Sequence, residues 1–141
     1  MIIRLTVRGS GAWAVRSDGE SDTGTFKNVV TAAGRIRLLQ LLSAGGMPAW
    51  TVGVGAGHLE PAESGAGSTL VDPVGETWVT AETVDGGLEF HAVFPPGRAT
   101  GRNLRELVLS ESGVVVARAL FGPVHKTAAH TLTVDWRLII Q

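Results

Sequence analysis

Thr131-Leu132-Thr133-Val134-Asp135-Trp136-Arg137-Leu138-Ile139-Ile140 alternates almost without a slip. Leu132, Val134, Trp136, Leu138 and Ile140 fall on one side of an extended chain. Thr131, Thr133, Asp135 and Arg137 fall on the other. Successive side chains of a strand point to opposite faces, so one face of this strand lies in a core and the other meets water. An antiparallel sheet is the arrangement that tolerates such a half-wet strand.

The residues before it repeat the pattern. Residues 104–109 and 114–120 read as a hairpin around Glu111-Ser112-Gly113. Residues 88–94 put Leu88, Phe90, Ala92 and Phe94 on one face, and Pro95-Pro96-Gly97 stops them. Residues 75–84 read as their partner strand, joined through Asp85-Gly86-Gly87, a strong hairpin signal. Residues 50–54 form a further strand. At the N-terminus Ile3, Leu5 and Val7 share one face and Arg4, Thr6 and Arg8 the other. Gly9-Ser10-Gly11 is expected to turn the chain into a second strand at 12–16, and residues 17–24 are expected to form a loop. Residues 1–24 are read as a strand pair, with the first strand at an edge, or as an arm reaching another subunit.

One helix is predicted at about 31–43. Thr31 is a suitable N-cap, Gly45-Gly46 can supply a left-handed C-terminal residue, and Pro48 prevents continuation. Ile36, Leu39 and Leu42, with Leu38 beside them, are expected to face the sheet, while Arg35, Arg37 and Gln40 face away. The expected fold is therefore mainly β: an antiparallel β-sandwich or barrel-like meander with one short amphipathic helix, in a single domain spanning 1–141.

Composition narrows the function classes. The chain has 141 residues, 44% hydrophobic and 18% charged, with a formal net charge of -1. Soluble domains average about 25% charged residues, so a charge-poor surface points to burial against other protein. No basic stripe marks a nucleic-acid face. No run of about 18 apolar residues marks a membrane span. The absence of cysteine excludes disulfides and thiolate metal sites. It suits synthesis in a reducing cytoplasm.

Catalytic patterns are missing. His58, His91, His125 and His130 show no metal-ligand spacing. Gly53-Val54-Gly55-Ala56-Gly57 leads into His58-Leu59-Glu60-Pro61, not into a helix whose amides could hold phosphate. Gly67-Ser68-Thr69 lacks the lysine of a nucleotide-binding loop, and no Gly-x-Ser-x-Gly elbow occurs. Glu76, Glu82 and Glu89 sit on strands without a predicted cleft. Trp13, Trp50, Trp78 and Trp136 are expected to pack in a core or an interface. We therefore expect no catalytic residue, no cofactor and no metal. The long stretch 55–73 is rich in glycine. Loops above about 12–15 residues are often functional, so Gly55, Gly57, His58, Leu59, Glu60, Glu63 and Leu70 are the candidate subunit contacts.

The order of several short motifs resembles small proteins of tailed bacteriophages, the tail-fibre or baseplate-associated group. These motifs are Asn28-Val29-Val30-Thr31-Ala32-Ala33-Gly34-Arg35, the Leu-rich helix, Gly53-Val54-Gly55 with Leu70 beyond, and Leu104-Arg105-Glu106-Leu107-Val108-Leu109. Ala117-Arg118-Ala119, Lys126-Thr127 and Leu132-Thr133-Val134-Asp135-Trp136-Arg137-Leu138 complete the order. Val108 stands where that pattern usually has glycine. The resemblance implies a virion structural protein, made in the bacterial cytoplasm and assembled with itself and other virion proteins. Capsid decoration or a head–tail connector is the neighbouring alternative. A carbohydrate- or receptor-binding module is the alternative of another class, and solvent-accessible Trp13 or Trp50 would favour it.

Overall fold

The computed structural model describes residues 6–57, 70 and 72–140. Among these the elements are β1 (Val7–Ser17), β2 (Glu20–Val30), α1 (Ala32–Ala44), β3 (Trp50–Gly55) and β4 (Pro73–Val79). They continue as β5 (Ala81–Val84), β6 (Gly87–Phe94), β7 (Asn103–Glu111), β8 (Val114–His125) and β9 (Thr131–Ile140). Neighbouring strands are antiparallel, in the order β4-β3-β7-β8-β2-β1-β9-β6-β5. β4 and β5 stand at opposite ends of that order, yet only Thr80 separates them in the chain. The sheet must therefore curl until its ends approach, giving a nearly closed barrel. The mainly β, barrel-like architecture with one short helix is the one the alternation implies.

The alternation of β9 is realised: Leu132, Val134, Trp136 and Leu138 are buried, and Asp135 and Arg137 are exposed. β6 contributes Phe90, Ala92 and Phe94 to the same core, β3 contributes Trp50, Val52 and Val54, and β7 contributes Leu107 and Leu109. Aromatic pairs cross this core. Phe26 meets Trp136 edge-on at 5.1 Å, and Trp50 meets Phe90 at 4.7 Å. Such tilted and edge-to-face contacts suit the ring quadrupoles.

Four local expectations are corrected. Gly9-Ser10-Gly11 is not a turn, because β1 runs straight through it between β2 and β9. The glycines serve close packing instead. A Cβ on Gly9 would lie 2.0 Å from Asn28 Oδ1, and one on Gly11 would lie 2.3 Å from the Phe26 ring. The chain reverses later, at Asp18-Gly19, where Gly19 has φ 75. Residues 20–24 are then strand, not loop. Residues 10–16 pair with β2 on one side and β9 on the other, so β1 is an interior strand there and not an arm, while residues 20–24 pair with β1; residues 1–5 lie outside the described residues. Finally, residues 75–84 are not one strand. They break at Thr80, where the chain passes from one end of the sheet to the other.

The ends of α1 follow their local signals. Thr31 Oγ1 accepts from the Gly34 amide at 2.9 Å and donates to the Val115 carbonyl at 2.7 Å. Gly45, at φ 70, donates to the Leu41 carbonyl at 3.1 Å. The buried face, however, is not the expected one. Leu38 is buried and Leu41 packs on the core, whereas Ile36, Leu39 and Leu42 are 58%, 47% and 66% exposed. Gly34 is the reason. A Cβ there would sit 2.5 Å from the Val116 carbonyl oxygen, so a residue without a side chain brings the helix against β8. The contact face is then Gly34, Leu38 and Leu41, at spacings of four and three. Arg37, expected to face away, borders this face and reaches Glu111.

Candidate functional site

Of the predicted contact residues, Gly55, Gly57 and Leu70 are described; His58, Leu59, Glu60 and Glu63 lie outside the described residues. The three described ones meet at one place, built on the outer face of β3, β7 and β8. Residues directly opposite in an antiparallel pair share a face. Gly53↔Val108, Gly55↔Glu106 and Val108↔Arg118 therefore mark one face, and Val52↔Leu109 with Leu109↔Ala117 the inner one. A Cβ on Gly53 would lie 3.0 Å from Leu70 Cδ1, and one on Gly55 would lie 2.6 Å from the Asp72 carbonyl. The two glycines thus clear a shelf on which both ends of the 55–73 segment rest.

A buried carboxylate fastens that shelf. Glu106 Oε2 accepts from the Gly57 amide at 2.6 Å and from the Asp72 amide at 3.0 Å. Its Oε1 accepts from Arg118 Nη2 at 3.0 Å, and both side chains are fully buried. Sequence reading placed Glu106 and Arg118 only as motif letters. Their partnership was hidden because it depends on which strand faces are covered. Nearby, Arg102 also pairs with Asp72.

Two further buried charges make the fold pH-sensitive. Glu111 accepts from Arg37 Nε at 2.5 Å, from Ser112 Oγ at 2.6 Å and from the Ala49 amide at 3.3 Å. The bond from Arg37, helped by those from Ser112 and Ala49, holds its carboxyl below the ordinary 4.5. The folded state then binds fewer protons than the unfolded one. Glu111 stabilises the fold above pH 4.5, and this contribution is lost as pH falls through the lowered folded value. In urea titrations across that range, Glu111→Gln is expected to be weaker at neutral pH but to show a flatter acid decline than wild type. Lys126 acts with the same sign, but at alkaline pH. Its buried Nζ donates to the Pro95 carbonyl at 2.9 Å, and burial lowers its pKa below 10.5. Stability contributed through Lys126 therefore rises with pH up to 10.5.

Two surface features remain. The outer side of α1 carries Ile36, Leu39 and Leu42, and Met47 beyond the helix is 95% exposed. Where the ends of the sheet meet, a groove of about 840 Å³ runs past Trp78, Glu82, Glu89, His91, Asp135 and Arg137. Trp13, Trp50 and Trp136 are buried as core residues, so the accessible-Trp13-or-Trp50 condition is not met. Trp78, the fourth tryptophan expected in a core or an interface, is not in the core, being 74% exposed.

The described histidines are dispersed. His91 stands opposite Asp135 across β6 and β9, its Nδ1 donating to Oδ1 at 2.5 Å. His125 lies 3.3 Å from Asn103, and His130 Nδ1 accepts from the Thr127 amide at 2.9 Å. Among the described residues no three His, Asp or Glu converge to hold a metal ion. No helix among them is long and apolar enough to cross a membrane. Comparison of the chain with family models, curated proteins and solved structures finds no match in any of the three.

Proposed function

We propose that this chain is a structural, non-enzymatic subunit of a tailed phage or phage-like particle. In this reading it is a tail, baseplate or fibre-attachment component that assembles with its own copies and with other particle proteins. The observation that carries the proposal is the outer face of α1. Ile36, Leu39 and Leu42 recur at three-residue spacing and continue to Met47, all turned to solvent. Contiguous exposed apolar patches on soluble chains mark protein contacts. In this reading the occupant is a second copy of the same helix face, in a two-fold pairing that places like residues against like.

Several of the motif residues support the same reading, since they have packing tasks. Asn28 holds Trp136, Thr31 caps α1, Gly34 admits the helix, and Gly53 and Gly55 clear the shelf that Glu106 and Arg118 fasten. Sedimentation of the purified chain tests the proposal. Wild type is expected to sediment as an oligomer. The triple variant Ile36→Glu, Leu39→Glu, Leu42→Glu is expected to run as a 14.7 kDa monomer with an unchanged far-ultraviolet spectrum. A wild type that stays monomeric at every concentration would contradict the proposal.

A further inference from the structure

Trp78 stands on the outward side of β4, paired with Thr51, on the wall of the groove where the two ends of the sheet meet. The other three tryptophans are at most 8% exposed, so an indole 74% in water is the exception in this chain. Facing it, β6 and β9 present an ion pair and a hydrogen-bonded pair in register. Arg137 Nη2 lies 2.8 Å from Glu89 Oε1, and His91 Nδ1 lies 2.5 Å from Asp135 Oδ1. Glu82 of β5 lies directly opposite Glu89. These side chains hold one another in place while staying open to solvent: Asp135 is 64% and Arg137 51% exposed.

We infer that this groove binds a neutral oligosaccharide. A pyranose ring has an apolar C–H face and a rim of hydroxyls, which matches an exposed indole beside fixed polar groups. The ring would stack on Trp78, an apolar body that tolerates a wet edge. Each carboxylate has about four acceptor sites and a guanidinium five donors, so Glu82, Asp135 and Arg137 keep capacity for sugar hydroxyls beyond their pairing. Charge selects the ligand class. Glu82, Glu89 and Asp135 outnumber the single arginine, which disfavours phosphate, sulfate and uronate groups. A protein partner suits the groove less well, because the cores of protein interfaces are depleted in Asp and Glu. The inference is independent of the assembly proposal, which rests on α1.

The test uses the full chain labelled with ¹⁵N at its tryptophan indoles. Cellotetraose, β-1,4-galactotetraose, β-1,4-mannotetraose and tetra-N-acetylchitotetraose are titrated in turn to about 10 mM, a range that detects millimolar binding. At least one is expected to shift the Trp78 indole signal while the three buried indoles stay in place. Trp78→Ala should weaken binding at least tenfold, about 1.4 kcal/mol, with the buried indole signals unmoved. Glu82→Gln with Asp135→Asn should weaken it without removing the indole probe. No shift with any of the four sugars overturns the inference, as does binding that survives Trp78→Ala. A change in sedimentation of Trp78→Ala with no sugar response would assign the groove to a protein contact instead.

Discussion

Replacing Glu106 with alanine is expected to cost the fold about 3–5 kcal/mol, the range for breaking a buried ion pair from one side. Both Glu106 and Arg118 are fully buried, so the variant strips a dry guanidinium of its carboxylate. It also removes the acceptor of two amides, Gly57 and Asp72, at the two ends of the 55–73 segment. Hydrogen exchange at those amides should rise together with the fall in the urea midpoint. Glu106→Leu combined with Arg118→Met separates the two losses. Apolar replacement of a whole buried pair is often neutral or better, so the double variant should recover part of the stability. The two amides should still exchange fast. A loss under about 1 kcal/mol in Glu106→Ala, the level of an exposed pair, would contradict this account of the shelf.

Trp136→Ala is the second large effect, again about 3–5 kcal/mol, as for other buried aromatic truncations. Trp136 is 1% exposed, packs edge-on against Phe26, and donates from Nε1 to Asn28 Oδ1 at 2.7 Å. That asparagine presses in turn on Gly9 of β1, so the indole ties β9, β2 and β1 together. Trp136→Phe should keep most of the packing but leave the Asn28 oxygen without its donor, costing about 1–3 kcal/mol. Thermal unfolding followed in the near-ultraviolet ranks the two variants. A Trp136→Phe variant as stable as wild type would mean the hydrogen bond carries nothing, and equal losses in the two variants would mean the retained ring packing carries nothing.

What the sequence made legible was local. The faces of β9 and β6 are written in alternation that needs no knowledge of neighbours. The Asp85-Gly86 and Ser112-Gly113 turns, and the Thr31 and Gly45 ends of α1, depend on a few adjacent residues. The failures share a physical cause, which is that glycine has two uses that look alike in sequence. Gly9 and Gly11 resemble turn formers, but they make room for Asn28 and Phe26. Gly34 leaves no mark on an apolar stripe, yet it selects which side of α1 is buried. Ile36, Leu39 and Leu42 consequently turn outward.

The charged residues failed for a related reason. Glu106 and Arg118 occupy outward strand positions that ordinarily meet water, and only the covering of that face by the 55–73 ends makes them a buried pair. A register shift between Leu104 and Glu106 further obscures the alternation of β7. For Trp78, alternation assigned a side of β4. Whether that side is dry depends on how the two ends of the barrel meet, which no local pattern encodes.

The most direct test of the structural-subunit account is immunogold electron microscopy of intact particles from the source, using antibody against this chain. The account predicts regular label at the tail tip, baseplate or fibres; label spread over the capsid would move the chain to head decoration. Particles without label, with the protein found only free in the lysate, would contradict it.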